Sequence, residues 1–156
     1  MRISIAMSLL FVLACGDEEP IVQRGISPEA RQAAVLAAEG TGVVHEVQMG
    51  GSMETGFRFE PADLTIKVGD TVRWVNGSGL PHNVAFYADS IPQGAMTIIE
   101  SVMPAEDKLG PMIGRIVSEL GDAFEIDFVN APLGVYHYFC VVQEAMGMAG
   151  TLTIEQ

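Results

Sequence analysis

Tyr136-His137-Tyr138-Phe139-Cys140-Val141-Val142-Gln143-Glu144-Ala145-Met146-Gly147-Met148-Ala149-Gly150 places a thiol, an amide and a thioether on one short loop. The run that feeds the loop, Val135 to Cys140, is aromatic and β-branched, the composition of a strand. Thr151-Leu152-Thr153-Ile154 leaves the loop with the same character. Upstream, Leu80-Pro81-His82-Asn83-Val84 puts an imidazole at another boundary between strand and loop.

Working outward, the chain from Val43 onward is written in period two. Val43 to Met49 is β-rich, Gly50-Gly51-Ser52 reads as a turn, and Phe57 to Pro61 follows. Leu64, Ile66 and Val68 alternate with Thr65 and Lys67, the pattern of a half-buried strand, and Gly69-Asp70 breaks it. Thr71 to Asn76 sets Val72 and Trp74 on one face, and Gly77-Ser78-Gly79 reads as a flexible loop leading to His82. Val84 to Tyr87 resumes strand character, and Phe124, Ile126 and Phe128 alternate with Glu125 and Asp127. Asn130 to Gly134 is a turn. Short strands with turn signals between them predict an all-β antiparallel sandwich.

Between these strands, Asp89 to Gly121 reads as a long irregular flap, because Pro92, Pro104 and Pro111 interrupt regular structure. Ile113 to Leu120 is the expected helical turn within it. Met96, Met103 and Met112 are expected to fill gaps under the loops rather than to bind metal.

The N-terminus reads as an address. Met1-Arg2 is basic, and Ile3 to Ala14 is apolar but shorter than the roughly 20 residues that span a bilayer. Val12-Leu13-Ala14-Cys15 followed by Gly16-Asp17-Glu18 resembles the lipobox of bacterial lipoproteins. That resemblance implies removal of residues 1–14 as a signal peptide, acylation of Cys15, and an anchor in a bacterial membrane. Residues 15–42 read as a tether, with a short linker helix that starts at Ser27-Pro28-Glu29 and ends at Gly40. Residues 43–156 are the folded domain. An ordinary disulfide between Cys15 and Cys140, the only two cysteines, is the competing reading. If Cys15 is acylated, Cys140 is a lone thiol in an oxidising compartment, a liability unless it is buried or bound to metal.

The chain carries 8 basic and 20 acidic residues, a formal charge of −12, and loss of Arg2 with the leader makes it more negative still. Such a surface repels nucleic-acid phosphates and suits a basic protein partner with salt-sensitive encounter. A role in solubility alone is the other reading of the same charge.

Thiolate, imidazole and weak thioether together are the donor chemistry of a mononuclear copper site. His82, Tyr138-Phe139-Cys140 and Gly147-Met148-Ala149-Gly150, with Val68-Gly69-Asp70-Thr71-Val72-Arg73-Trp74-Val75-Asn76, resemble the cupredoxin family of plastocyanin and pseudoazurin. The resemblance covers Val43 to Gln156. It implies a Greek-key β-sandwich holding one type 1 (blue) copper ion, with His82 as nitrogen ligand, Cys140 as thiolate, Met148 as axial thioether and Asn83 bracing the ligand loops. It also implies an extracytoplasmic one-electron carrier whose partner is a redox protein, a basic one such as a c-type cytochrome. The chain departs from the family at Gln143, which stands where the second histidine ligand is expected. An amide oxygen is a harder donor than imidazole and holds Cu(I) less well.

His137 lies an odd number of residues before Cys140 on one strand, so it is expected on the opposite face. His45 on the first strand and Met146 in the loop are the remaining substitutes. Three histidines are too few for the clusters a copper oxidase or reductase needs. A copper-sequestering or copper-delivering lipoprotein, and a metal-free scaffold that binds partners, stay open as alternatives to the carrier.

Overall fold

A computed structural model describes residues 42–156. The signal peptide, Cys15 and the linker helix expected before Gly42 lie outside the described residues. The chain forms β1 (Val44–Ser52), β2 (Gly56–Glu60), β3 (Asp63–Lys67), β4 (Thr71–Asn76), β5 (Ala85–Phe86), α1 (Ala95–Val102), β6 (Lys108–Gly110), β7 (Ile113–Gly114), β8 (Ala123–Asp127), β9 (Gly134–Phe139) and β10 (Ala149–Glu155). Among the described residues no helix is long and apolar enough to cross a membrane.

The strands make two sheets, ordered β2-β1-β4-β8 and β3-β10-β9-β5-β7-β6. Period two does what it predicts. Val72 and Trp74 on β4, Phe124 and Ile126 on β8, Tyr136 and Tyr138 on β9, and Leu152 and Ile154 on β10 are buried, while Arg73, Glu125 and His137 between them are exposed. Fully burying one such side chain contributes about 1.5–3 kcal/mol. Tyr138 meets Trp74 and Phe59 edge-on, with ring centroids 5.7 and 4.8 Å away, so aromatic contacts lock the two inner faces together.

Four expectations need correction. The sandwich is mixed rather than antiparallel, since β1 pairs β4 and β10 pairs β3 in parallel. After the β1–β2 hairpin the chain crosses to the second sheet as β3 and returns as β4 on the free side of β1. Gly50-Gly51-Ser52 is not the turn. These residues pair Arg58, Phe57 and Gly56, and the turn is Met53-Glu54-Thr55, where the Ser52 and Thr55 side chains meet the local backbone N–H groups. The flap holds a helix, but at Ala95–Val102, framed by Pro92 and Pro104. Ala95, Ile99 and Met103 are buried at i, i+4 spacing. Ile113 to Leu120 is not helical. Gly114 N–H is spent on Val84 O at 2.8 Å, and Val117 forms an antiparallel bridge with His82. Met103 and Met112 are buried core filling, as expected, and Met96 is exposed.

The fourth correction concerns Gly77-Ser78-Gly79. Buried Asn76 accepts N–H bonds from Ser78 and Gly79 on its amide oxygen, at 3.0 and 2.8 Å, and donates its amide N–H to Leu80 O and Val117 O. That Asx turn holds in place the loop that presents His82.

Candidate metal centre

His82 follows the pinned turn and is fully buried. Its backbone N–H and C=O exchange bonds of 3.0 and 2.8 Å with Val117 in the flap. Both backbone polar groups of His82 are therefore paired. Ring Nε2 lies 2.8 Å from Ser78 Oγ and Nδ1 lies 3.1 Å from Gln143 Oε1. An amide oxygen only accepts, so the proton is on Nδ1 and, in the neutral ring, Nε2 accepts from the Ser78 hydroxyl. Burial pushes the imidazole pKa below its ordinary value, and the bond to Gln143 draws it partly back.

Cys140 ends the run that begins in β9. It is buried, and among the described residues no disulfide involves it. Its N–H donates to Met148 O at 3.0 Å, which closes the loop between them. Inside that loop Gln143 N–H donates to Cys140 O, and Gln143 O accepts from Met146 and Met148 at 3.0 and 3.2 Å. Gly147 turns the chain with φ 83°, a conformation that favours glycine. Met148 is thereby carried inward to full burial, whereas Met146 points out and is 44% exposed.

Asn83, next to His82, ties the two segments together. Its N–H donates to Cys140 Sγ at 3.4 Å, its amide oxygen accepts from Val141 N–H at 2.9 Å, and its amide N–H donates to Gly114 O at 3.2 Å. Gln143 donates to Pro81 O at 3.1 Å, while its Oε1 takes the Cys140 S–H at 2.8 Å as well as His82 Nδ1–H. One oxygen thus touches imidazole nitrogen and thiol sulfur together. The two groups converge on a point that a single atom reaches.

The other candidates lie elsewhere. His137 is on the exposed face of β9, near Thr151 Oγ1. His45 Nε2 is committed to Asp70 Oδ2 at 2.8 Å. A surface groove of about 500 Å³ between Tyr87, Asp89, His137 and Thr151 includes none of His82, Cys140, Gln143 or Met148. Sequence reasoning missed Ser78, Val117 and the carbonyl of Pro81 as supports of the cluster. The Asn-Gly-Ser-Gly string offered a signal for the first. Nothing local signalled the second.

A two-sheet sandwich that brings a buried imidazole and a buried thiol to one amide oxygen, with a thioether buried at the end of the same loop, carries the donor chemistry of a mononuclear soft-metal site. Comparison with known proteins gives the family. Residues 45–155 match the profile described as copper binding proteins, plastocyanin/azurin family, so the chain belongs to that family, the cupredoxins. It is 38% identical over 97 residues to plastocyanin of Scenedesmus fuscus, covering 62% of this chain and 86% of that one. It is 30% identical over 130 residues to the chloroplastic plastocyanin of Silene latifolia subsp. alba, covering 83% and 71%. The fold is similar to oxidised plastocyanin from Dryopteris crassirhizoma, with TM-score 0.51 and 25% identity, over 71% of this chain and all of that one.

Members of this family carry electrons on one type 1 copper ion. The residues present fit that ion. A ring nitrogen and a thiol sulfur face one point, no disulfide engages the thiol among the described residues, and both groups are buried. The one donor out of keeping is the Gln143 amide oxygen.

Proposed function

We propose that this chain is a membrane-tethered, extracytoplasmic carrier of single electrons, with one copper ion held by His82, Cys140 and Met148. Copper supplies the one-electron couple. The protein's residues keep the donors in one arrangement, so that little has to move when charge changes. Asn83 fixes the thiol from the side of the imidazole, Ser78 fixes the far ring nitrogen, and the bridge to Val117 in the flap holds the His82 backbone. Gln143 stands at the fourth position. The lipobox-like leader and Cys15 supply the anchor, and the acidic surface draws a basic redox partner such as a c-type cytochrome.

The observation that carries this reading is the shared contact of Gln143 Oε1 with His82 Nδ1 and Cys140 Sγ, which puts the two donors within reach of one ion. The test is a titration of the purified protein with Cu(II), followed in the visible. An intense band at ~600 nm, the signature of copper–thiolate covalency, supports the carrier. Stoichiometric copper without that band supports the second reading, sequestration or delivery, which is favoured by an amide where an imidazole is expected. No binding leaves a scaffold for partners.

A further inference from the structure

We propose that Arg115 is a positioning residue of the copper centre: from outside the core, its guanidinium holds the flap segment 114–117 in register with His82 and Asn83. The proposal rests on the copper-binding reading above and adds what keeps the His82 side of the site in place.

Segment 114–117 supports His82 and both of the asparagines that flank its loop. Gly114 N–H donates to Val84 O at 2.8 Å, and Gly114 O accepts from the Asn83 amide at 3.2 Å. Val117 exchanges both backbone bonds with His82, and its carbonyl also accepts from the Asn76 amide at 3.0 Å. Yet the segment has little regular structure of its own. Strand β7 is two residues long, and the pairing of Val117 with His82 is an isolated bridge. So short a ladder is marginal alone.

Arg115 lies between the buried residues Gly114 and Val117, and its own side chain is one-third exposed. The guanidinium donates to both oxygens of Asp122 at 3.0 and 3.1 Å and to Ala123 O at 2.8 Å, and its Nε lies 3.1 Å from Asp107 Oδ1. The Arg115 backbone N–H donates to Asp107 O at 2.6 Å. Asp107 closes the turn after α1, and Asp122 leads into β8. One residue therefore joins the segment to the elements on either side of it. The fork on Asp122 is bidentate, a geometry that lysine cannot copy. That fork is the main cause holding the Asp122 carboxyl below its ordinary value. A lone ion pair at this exposure contributes little, but here two carboxylates and a carbonyl share one guanidinium. The other arginines among the described residues pair elsewhere: Arg58 with Glu60 and Arg73 with Glu125, both within the sheet that holds β1 and β4.

The experiment uses the full chain as wild type, Arg115→Ala, Arg115→Lys and the control Arg73→Ala. Hydrogen exchange of the metal-free proteins is followed by NMR at His82 and Val117. Phe128, whose N–H is bound to Asp70 O, is the reference remote from the segment. In Arg115→Ala the His82 and Val117 amides are expected to exchange about tenfold faster relative to Phe128, the factor that two such ion pairs supply together. Arg115→Lys keeps the charge and loses the fork. It is expected to fall between the two, and it carries the test where the alanine variant does not fold. Copper affinity, from chelator competition with Cu(II), is expected to fall about tenfold in Arg115→Ala, with a shifted copper–thiolate band. Coulomb attraction alone gives the opposite sign, since removing a cation favours binding of another cation. Arg73→Ala is expected to change neither the exchange ratio nor the affinity. Tighter or unchanged copper binding in the Arg115 variants overturns the proposal, as does exchange at His82 and Val117 that moves only in step with Phe128. If the wild type itself takes up no copper, the copper reading fails, and the exchange ratio still decides whether Arg115 holds the segment against His82.

Discussion

Asn83 holds Cys140 through both its backbone and its side chain: its N–H donates to the sulfur at 3.4 Å, and its amide oxygen fixes the next peptide through Val141 N–H at 2.9 Å. The third bond, to Gly114 O, ties the same amide to the flap. Asn83 is fully buried, so Asn83→Leu leaves Gly114 O without its partner in the core and the Val141 N–H without its acceptor. The expected loss is about 2–4 kcal/mol, the cost of two orphaned polar groups. Denaturant unfolding of the metal-free protein measures it. The copper-loaded variant is expected to show a shifted and weaker copper–thiolate band, because the peptide that follows Cys140 has lost its side-chain tie to residue 83.

The acceptor of that third bond cannot take a side chain. A Cβ added to Gly114 would sit 2.6–3.0 Å from the Phe124 ring, and that ring is buried against Trp74. Gly114→Ala is expected to destabilise the domain by about 1–3 kcal/mol through overpacking. It also shifts the strand that carries Gly114 O, so copper affinity is expected to fall with stability. Gly110→Ala, whose Cβ would make only an ordinary contact with Ile113, is the control and should change neither.

A second buried group, remote from the metal loop, sets the acid limit. Asp70 accepts from Val43 N–H at 2.8 Å, Lys67 N–H at 2.9 Å and the His45 ring at 2.8 Å. Burial alone would raise its pKa, but these bonds outweigh it and hold the carboxyl below its ordinary value. A carboxylate depressed in the folded state stabilises fully above its unfolded pKa, and that stability disappears as pH falls through the folded value. The domain is therefore expected to lose stability below about pH 4, from the model-peptide range. Asp70→Asn should cost about 1.5–3 kcal/mol at neutral pH and flatten the acid limb of an unfolding curve, as read by circular dichroism against pH.

The three histidines separate by what they touch. His82 faces Cys140 through a shared oxygen, His45 is spent on Asp70, and His137 is on the outer face of β9. His82→Ala is expected to abolish stoichiometric copper binding. His137→Ala is expected to leave affinity and stoichiometry unchanged, as is His45→Ala at neutral pH once its loss of stability is allowed for. Isothermal titration with a competing chelator reads all three.

How far the sequence led is clearest where periodicity ran out. Alternation located β4, β8, β9 and β10 to within a residue or two, because one face of each strand meets the core. The same alternation is blind to strand direction, so the parallel pairs β1–β4 and β3–β10 were not legible. Helix α1 was hidden because Ala-Met-Thr-Ile-Ile-Glu-Ser-Val carries four β-branched residues, and its N-cap is Gly94, with no side-chain cap. It is helical because Ala95, Ile99 and Met103 find the core at that spacing. The Cys140-to-Met148 loop was legible since its members are close in sequence. The approach of Gln143 and Cys140 to His82 was expected only from the resemblance, and the roles of Ser78 and Val117 depend on closure of the fold.

Gln143 is the residue on which affinity turns. Its amide oxygen is neutral and hard, and its contacts with His82 and Cys140 are made as a hydrogen-bond acceptor. An imidazole in its place offers a borderline nitrogen that suits both copper oxidation states. Gln143→His should therefore tighten copper binding by at least about tenfold, a difference of roughly 1.4 kcal/mol that one improved metal–ligand bond readily exceeds. It should also intensify the visible band, because copper held more firmly shares more charge with the Cys140 thiolate. Chelator competition measures the first and the absorption spectrum the second. Unchanged affinity would mean that the side chain at 143 does not reach the ion, and the donor set would then have to be completed by Met148 alone.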